Sequence, residues 1–490
     1  MLEKFMPKFG ILAKVLVSFL LLAIAPLVVL GILSLQGISQ IGEKAVEDSR
    51  ESLDLKSADA IQIRSIDLAH SVARFLRERE NDINTFTLLP RNSENYLSFS
   101  QTRQGEIWKA VVTPGGVREA RMMKPLYKEI SFVSPTGQEQ IKIINDRIVP
   151  PEHLYDVSKP INTRYKSEAY FNETINRGRN EIYVSHVTGF YVNKYEMLGD
   201  STSVKDNPAG KRFSGVIRFA KQVYENNELV GIVVLALDHT HLMEFTDHLT
   251  PNAPAKDPYV FAVDDTKGNE AYMVDDEGWI ISHTRDWMIR GVSPRLENLG
   301  EPMQPAVEAS HIQDHFLSRP VQLDKVGFME FLRDIAKIPS IAAEGKPESL
   351  WYHWSGHHSF VAFAPIPYYG GDYRVPAGFG WVAITADVKA FHEAANETAA
   401  QIRSSQIRIV TLAIIVISCS MVIVLLVAMW LARSITRPVI RLTDLANRIS
   451  MGDLGLKIDV KSSDEIGALS NSISRLAISL QAAMKRLSRR

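Results

Sequence analysis

Two long uncharged apolar runs limit this chain more than any other feature. Val15–Leu35 reads VLVSFLLLAIAPLVVLGILSL and Ile409–Ala432 reads IVTLAIIVISCSMVIVLLVAMWLA. At about 1.5 Å per residue each run spans the roughly 30 Å of a hydrocarbon core, where a helix satisfies its own backbone. Both are predicted membrane helices. Ala23 and Ala25 form an A-x-A pattern, but Pro26 follows and the apolar stretch continues, so the first run reads as an uncleaved anchor rather than a removable leader. Lys4, Lys8 and Lys14 precede the first run, and Arg433, Arg437 and Arg441 follow the second. Basic flanks stay on the cytoplasmic side, which predicts both termini in the cytoplasm and everything from about residue 36 to 406 outside.

A formal net charge of −1 argues against a polyanion binder, so nucleic acid is not an expected partner. The single cysteine, Cys419, falls inside the second apolar run. An outer segment without disulfides suits a bacterial inner-membrane protein with a periplasmic domain. No G-x-S-x-G elbow, phosphate loop, G-x-G-x-x-G or H-E-x-x-H pattern occurs, so neither an enzyme nor a cofactor is expected.

The chain divides by texture into a cytoplasmic start (1–14), the first membrane helix (15–35) and a long periplasmic helix (36–89) with apolar residues at helical spacing. After Pro90 come strand-like runs. EISFVSPTGQEQIKII turns at Ser134–Gly137, NEIYVSHVTGFYV reads as a strand, and SGVIRFAKQVYENNELVGIVVLAL turns at Asn226-Asn227. The pattern recurs after TPNAPAKDP: two strands around Asp276-Glu277-Gly278, a helical stretch near Val326–Ala336, and a long-looped hairpin ending at Asp387. This predicts two α+β sheet modules, 90–250 farther from the membrane and 251–390 nearer to it. A signalling helix (391–408) then feeds the second membrane helix (409–432).

A long membrane-leaving helix followed by two such modules, with Glu228–Gly231 and Gly380-Trp381 closing their last strands, resembles a double Cache sensor. The resemblance implies PAS-like sheets and a small-molecule pocket in the module farther from the membrane. The best-defined ligand class of that family is free amino acids, held by an arginine two residues before an aromatic pair, a tyrosine followed two later by aspartate, and a last-strand aspartate. Here Tyr170-Phe171 fits the pair, but Glu168 stands at the arginine position; Tyr183 fits, but Ser185 replaces the aspartate, and Ala236 takes the last acidic position. An α-amino acid would lack its charged partners, so amino-acid binding is expected to be absent or to use other groups. Tyr170, Phe171, Tyr183, Ser185 and His186 are the candidate ligand residues, although sheet modules need such aromatics for their own cores. His239, His241 and His357 are weak metal candidates, since neither LDHTHLMEFTDH nor WYHWSGHH has a recognised ligand spacing.

Beyond the second membrane helix, Ile435, Pro438, Leu442, Leu445 and Ile449 follow a 3-4-3-4 repeat. Ile466, Leu469, Ile473, Leu476, Leu480, Ala483 and Leu487 follow another, as coiled-coil seams do. MGDLGLKIDVKSSD separates them, with alternating apolar residues. Arg433, Pro438, Gly452-Asp453-Leu454 and Asp464-Glu465-Ile466-Gly467 resemble a HAMP domain over 433–485, followed by a basic tail at 486–490. The resemblance implies an all-α parallel four-helix bundle in a homodimer, with Pro438, Gly452, Leu454, Glu465 and Ile466 as relay positions. The expectation is a two-helix inner-membrane receptor that senses a periplasmic small molecule. Its cytoplasmic output comes from a separate protein or from a longer histidine kinase, cyclase or chemoreceptor of which this is the N-terminal part. A metal- or protein-sensing receptor of the same architecture is the alternative.

Overall fold

The computed structural model describes residues 11–114, 116–204, 207–248, 269–300, 319–328, 332–354, 357–453, 455–456 and 463–487. The chain forms two compact units, residues 51–396 and residues 1–50 with 397–490.

In chain order, α1 is a single helix, Ile11–Phe86, so the first apolar run and the predicted periplasmic helix are one element. After α2 (Ser93–Thr102), capped by the Asn92 side chain, a hairpin of β1 (Gln104–Thr113) and β2 (Gly116–Pro125) stands as its own two-stranded sheet. The distal module follows: β3 (Tyr127–Val133), β4 (Glu139–Ile144), the two-residue β5 (Arg147–Ile148), α3 (Tyr170–Ile175), β6 (Ile182–Val184), α4 (Lys194–Leu198), β7 (Val216–Glu225), β8 (Glu228–Asp238) and α5 (Thr240–Asp247). Its antiparallel sheet runs β5-β4-β3-β8-β7-β6. The proximal module contributes β9 (Glu270–Asp275), β10 (Ile280–His283), α6 (Ile338–Ala343), β11 (Glu348–Trp354), β12 (His357–Ile366) and β13 (Gly380–Asp387), in the order β10-β9-β13-β12-β11.

The predicted turns at Ser134–Gly137, Asn226-Asn227 and Asp276–Gly278 connect β3 to β4, β7 to β8 and β9 to β10. Asn226 and Asn227 both take positive φ, 47° and 70°, the backbone of a tight turn that matches strand twist. Each module has a positive-φ glycine near the start of its last strand, Gly231 in β8 and Gly380 in β13, where a side chain would meet backbone. A Cβ on Gly231 (φ +151°) would fall 2.3 Å from the Val133 carbonyl oxygen, and one on Gly380 (φ +132°) 2.1 Å from that of Val274.

Two expectations change. NEIYVSHVTGFYV is a strand only over Ile182–Val184, because the Ser185 hydroxyl takes the Arg218 N–H and the chain then leaves the ladder. Among the described residues the predicted helix at 326–336 is instead 3-10 backbone, including Leu323–Phe328 and Ile335–Lys337, leading into α6. Pro339 sits in the first turn of α6, where a missing N–H is harmless but beyond which a helix could not extend backwards unbroken. The predicted inter-module boundary at 250–258 lies outside the described residues.

Both sheets pack on one face of α1. Ile61, Leu68, Val72, Leu76, Ile83 and Phe86 are buried with Leu235 and Leu237 of the distal sheet and Met273, Ala364 and Ile384 of the proximal one. Their spacing of three, four and seven forms a stripe along the helix, each side chain contributing roughly 1.5–3 kcal/mol of burial. Asp82 pins the helix further, accepting from Tyr127 Oη at 2.6 Å and facing Arg79 and Arg103.

In the other unit, α7 (Val388–Leu431) passes through a π-helical stretch, Ala432–Thr436, into α8 (Arg437–Ser450), and α9 (Glu465–Leu487) follows. The apolar stretches of α1 and α7 are long and apolar enough to cross a membrane. They touch at small residues: a Cβ on Gly31 would meet Ile417 at 2.9 Å. Gln406 lies over Gly42 and donates to the Ile38 and Ser39 carbonyls of α1.

Candidate ligand site and relay helices

The inner surface of the distal sheet carries charge. Arg218 of β7 is fully buried, and its guanidinium binds both oxygens of Glu168, at 3.1 Å for Nη2 to Oε2, and Glu129 Oε2 at 2.9 Å. Arg164 reaches Glu129 Oε1 at 2.8 Å. Burial opposes the charge on Glu129, but Arg218, Lys142 and Arg164 outweigh it and hold the carboxyl at about 2. Burial also opposes charge on Arg218, and Glu168 and Glu129 reverse that, holding it well above its ordinary value. At the strand end Asp238 is held at about 2 against burial by Lys128 and Lys124. Glu168, which the resemblance sets at the arginine position of an amino-acid site, is itself bonded to the Arg218 guanidinium.

The five candidate ligand residues separate around this network. Tyr170 and Phe171 are buried on α3 among Val133, Val157, Ala220, Ile232 and Val234, with the Arg218 guanidinium 4.6 Å from the Tyr170 ring centre. Half-buried Tyr183 packs against the same cluster, under the Arg177 guanidinium at 5.1 Å. Ser185 Oγ accepts from Arg218 N at 2.9 Å and donates to the His186 carbonyl at 2.8 Å. His186 turns away to the proximal hairpin, with Nε2 2.9 Å from Asp276 and its ring edge-on to Tyr373. It lines a cavity of about 330 Å³ shared with Thr188, Arg290 and Asn298. Asp275 beside it accepts the Glu277 and Trp279 N–H groups at the turn, and burial raises its carboxyl to about 7.

The metal candidates do not converge. His239 is buried and donates from Nε2 to the Ile281 carbonyl at 2.6 Å, burial lowering it to about 4. His241 donates from Nε2 to the Pro125 carbonyl at 3.0 Å. The His357 side chain lies outside the described residues. Among the described residues no three His, Cys, Asp or Glu side chains are grouped to hold a metal ion.

The reading from sequence missed Arg218, Glu129 and the β1–β2 hairpin. The signals existed: charges at inward positions of otherwise apolar strands, and Pro114-Gly115-Gly116 between VVT and VRE.

Among the described residues, the predicted relay positions lie at helix ends. Pro438 occupies the first turn of α8, where its missing N–H is tolerated. Gly452, at φ +94°, ends that helix by donating to the Ile449 carbonyl at 3.1 Å. Asp464 Oδ1 caps α9 by accepting from Ile466 N at 3.0 Å and Gly467 N at 3.2 Å, with Glu465 exposed beside them. Leu454 lies outside the described residues. Leu442, Ile449 and Ala477 are buried between α8 and α9. Ile435, Leu469, Leu476 and Leu480 are exposed, and Leu476 and Leu480 border an apolar groove of about 340 Å³ with Ala446 and Ile473.

The family model for the HAMP domain matches residues 430–482. Methyl-accepting chemotaxis protein McpA of Bacillus subtilis is 41% identical over 70 residues, 14% of this chain; the chain thus covers about a tenth, 11%, of that relative. Among solved structures, the ligand-binding domain of Campylobacter jejuni chemoreceptor Tlp3 in complex with 4-methylisoleucine aligns at TM-score 0.33 and 11% identity, over 70% of this chain and 94% of that one. The ligand-binding domain of Pseudomonas aeruginosa PAO1 amino acid chemoreceptor PctC in complex with GABA aligns at TM-score 0.33 and 13% identity, over 65% and 95%. At these scores the ligands remain properties of those proteins. Residues 430–482 carry a HAMP domain, behind a mixed α/β region of two antiparallel sheets with one strand order and a helix long and apolar enough to span a membrane.

Proposed function

We propose that this chain is a homodimeric bacterial inner-membrane receptor, not an enzyme, in which the two sheet modules sense a small molecule outside the cytoplasm and the second membrane helix relays the result to the HAMP bundle. The observation that carries this reading is a covalent one. β13, hydrogen-bonded between β9 and β12 in the proximal sheet, ends at Asp387, and α7 begins at the next residue and continues to Leu431. A ligand that favours one arrangement of that sheet thereby acts on the start of a helix which a bilayer keeps intact. A coupling of about 1–3 kcal/mol suffices to shift a two-state bundle. The lysines before α1's apolar run and the arginines after α7 support cytoplasmic termini. The exposed seam residues Leu469, Leu476 and Leu480 support a second copy as their cover.

The distal sheet is read as closed to free amino acids at the Glu168 position, because inserting a carboxylate there means displacing Glu168 from Arg218. A thermal-shift screen of the full chain in detergent against organic acids, amines, amino acids, purines and divalent metals tests the reading. A compound at 100 times its Kd should stabilise the chain by about 2.7 kcal/mol. A selective shift by a small molecule supports a small-molecule receptor; a shift by divalent metal alone replaces it with a metal sensor, and a flat screen contradicts it.

A further inference from the structure

A cavity of about 420 Å³ lies away from the Arg218 network, between α1, the β1–β2 hairpin and α5. Its apolar walls are half-buried aromatics: Trp108 from the hairpin, Phe75 from α1 and Phe245 from α5, the two phenylalanines meeting edge to face at 5.4 Å. Gly105 leaves the space open, since a Cβ there would lie 2.9 Å from the His241 ring and 2.9 Å from Leu126.

The polar groups of the cavity are mostly acceptors. Asp67 and Glu106 stand exposed at its mouth, and Glu244 lies farther in, accepting from Trp108 N at 3.1 Å and standing 2.9 Å from His248 Nδ1. Arg64 also lines the cavity, and Arg121 lies 3.6 Å from Glu106. His241 is buried to 4% exposure, and its Nε2 faces the Pro125 carbonyl, which can only accept. The proton is thus on Nε2, and Nδ1 presents a lone pair beside Gly105 with no hydrogen-bond partner among the described residues. Burial lowers the tendency of His241 to protonate, which keeps that lone pair available at neutral pH. The Trp108 indole already carries the Arg121 guanidinium at 4.8 Å and stacks with His248 at 5.6 Å, so it walls the cavity and is no cation seat. An acceptor without a donor on a buried histidine, with three carboxylates around it, describes a complement to a cation that carries N–H groups.

We propose that this cavity binds an organic ammonium ion with at least one N–H donor on an apolar, ring-sized body. The ammonium donates to His241 Nδ1 and meets the field of Asp67, Glu106 and Glu244, while the body lies against Phe75 and Phe245. As an input to signalling, the site rests on the receptor reading above; as a binding site it stands without it.

The test is calorimetric titration of the full chain in detergent with 2-phenylethylammonium, its N,N,N-trimethyl analogue and phenylacetate. The account expects saturable binding of 2-phenylethylammonium at one per chain, at least tenfold weaker binding of the trimethyl analogue, and none of phenylacetate. Asp67→Lys and Glu106→Lys change exposed side chains and should each weaken binding about tenfold with an unchanged melting temperature. His241→Phe should abolish preference for the N–H cation. No saturable binding at millimolar concentration, equal affinity for the trimethyl analogue, or unaltered affinity in both lysine variants would overturn the site. None of these readings depends on whether the HAMP bundle responds, so a bound ammonium with a silent bundle removes only the site's role as a signalling input and leaves the site.

Discussion

Strand for strand, β4-β3-β8-β7-β6 of the distal module and β10-β9-β13-β12-β11 of the proximal module follow one order, and both carry a positive-φ glycine near the start of the last strand and close it with an aspartate. Their interiors differ. The distal sheet buries Glu129, Glu168 and Arg218 as a bonded network, whereas the proximal sheet has Glu270 paired with Arg285 at the register position of Glu129, Val361 at that of Arg218, and an apolar cluster of Val361, Phe363, Trp381 and Ala383. Their last strands also lead to different ends: Asp238 to the short α5, Asp387 to the 44-residue α7. One topology thus serves two tasks. A bonded charge network has one satisfied arrangement and resists rearrangement, while an apolar cluster tolerates small repacking, as suits the sheet joined to the membrane helix.

The comparison can be broken most forcefully at Arg218. Arg218→Ala leaves buried Glu168 without its guanidinium and Glu129 with only Arg164 and Lys142, and should destabilise the distal module by about 3–5 kcal/mol, visible as lost hydrogen-exchange protection in β3, β7 and β8. The paired change Glu168→Gln with Arg218→Met should recover part of that loss. In the proximal cluster, Phe363→Leu should cost only about 1 kcal/mol, read as faster exchange in β12 and β13. Equal losses from Arg218→Ala and Phe363→Leu would remove the distinction.

Acid and neutral pH sharpen it further. Glu129 and Asp238, held at about 2 in the fold, lend stability that is complete above the ordinary carboxylate range and fades as pH falls toward about 2. Asp275 has the opposite sign. Its folded-state proton is lost only at about 7, so stability declines as pH rises from the ordinary range to about 7 and stays low above it. Melting curves should therefore show Asp275→Asn, which keeps the acceptor oxygen, gaining on the parent chain between pH 5 and pH 7.5 while keeping the same acid loss. A parallel pH dependence of the two chains would contradict this. The smallest effect on binding belongs to Pro438→Ala, which should leave ligand affinity within about twofold while removing the response of the bundle.

Much of this architecture is legible in the sequence because it rests on local signals. Uncharged runs of membrane length, the Asn226-Asn227 turn and the 3-4 repeats beside Gly452 each state their own structure. The Arg218–Glu168 bond is not legible that way, since the two residues are 50 positions apart and nothing local says that they meet. Hairpin β1–β2 escaped for another reason: it is a freestanding two-stranded sheet, with Val112, Met122 and Met123 exposed, so its pattern lacks the alternation of a half-buried strand. His241 reads in sequence as one of several clustered histidines, and only the fold shows that its Nε2 is taken and its Nδ1 is not.

The central claim is that the sheet modules and the HAMP bundle are coupled across the membrane in a dimer. The most direct measurement is the rate of intermolecular disulfide formation in membranes for Leu476→Cys, on the exposed seam of α9, in a Cys419→Ser background, with Asn471→Cys on the opposite face as control. The account predicts that Leu476→Cys crosslinks and Asn471→Cys does not, that a saturating compound from the thermal screen changes the Leu476→Cys rate at least twofold, and that Pro438→Ala cancels the change. A Leu476→Cys rate indifferent to a bound compound would contradict the coupling.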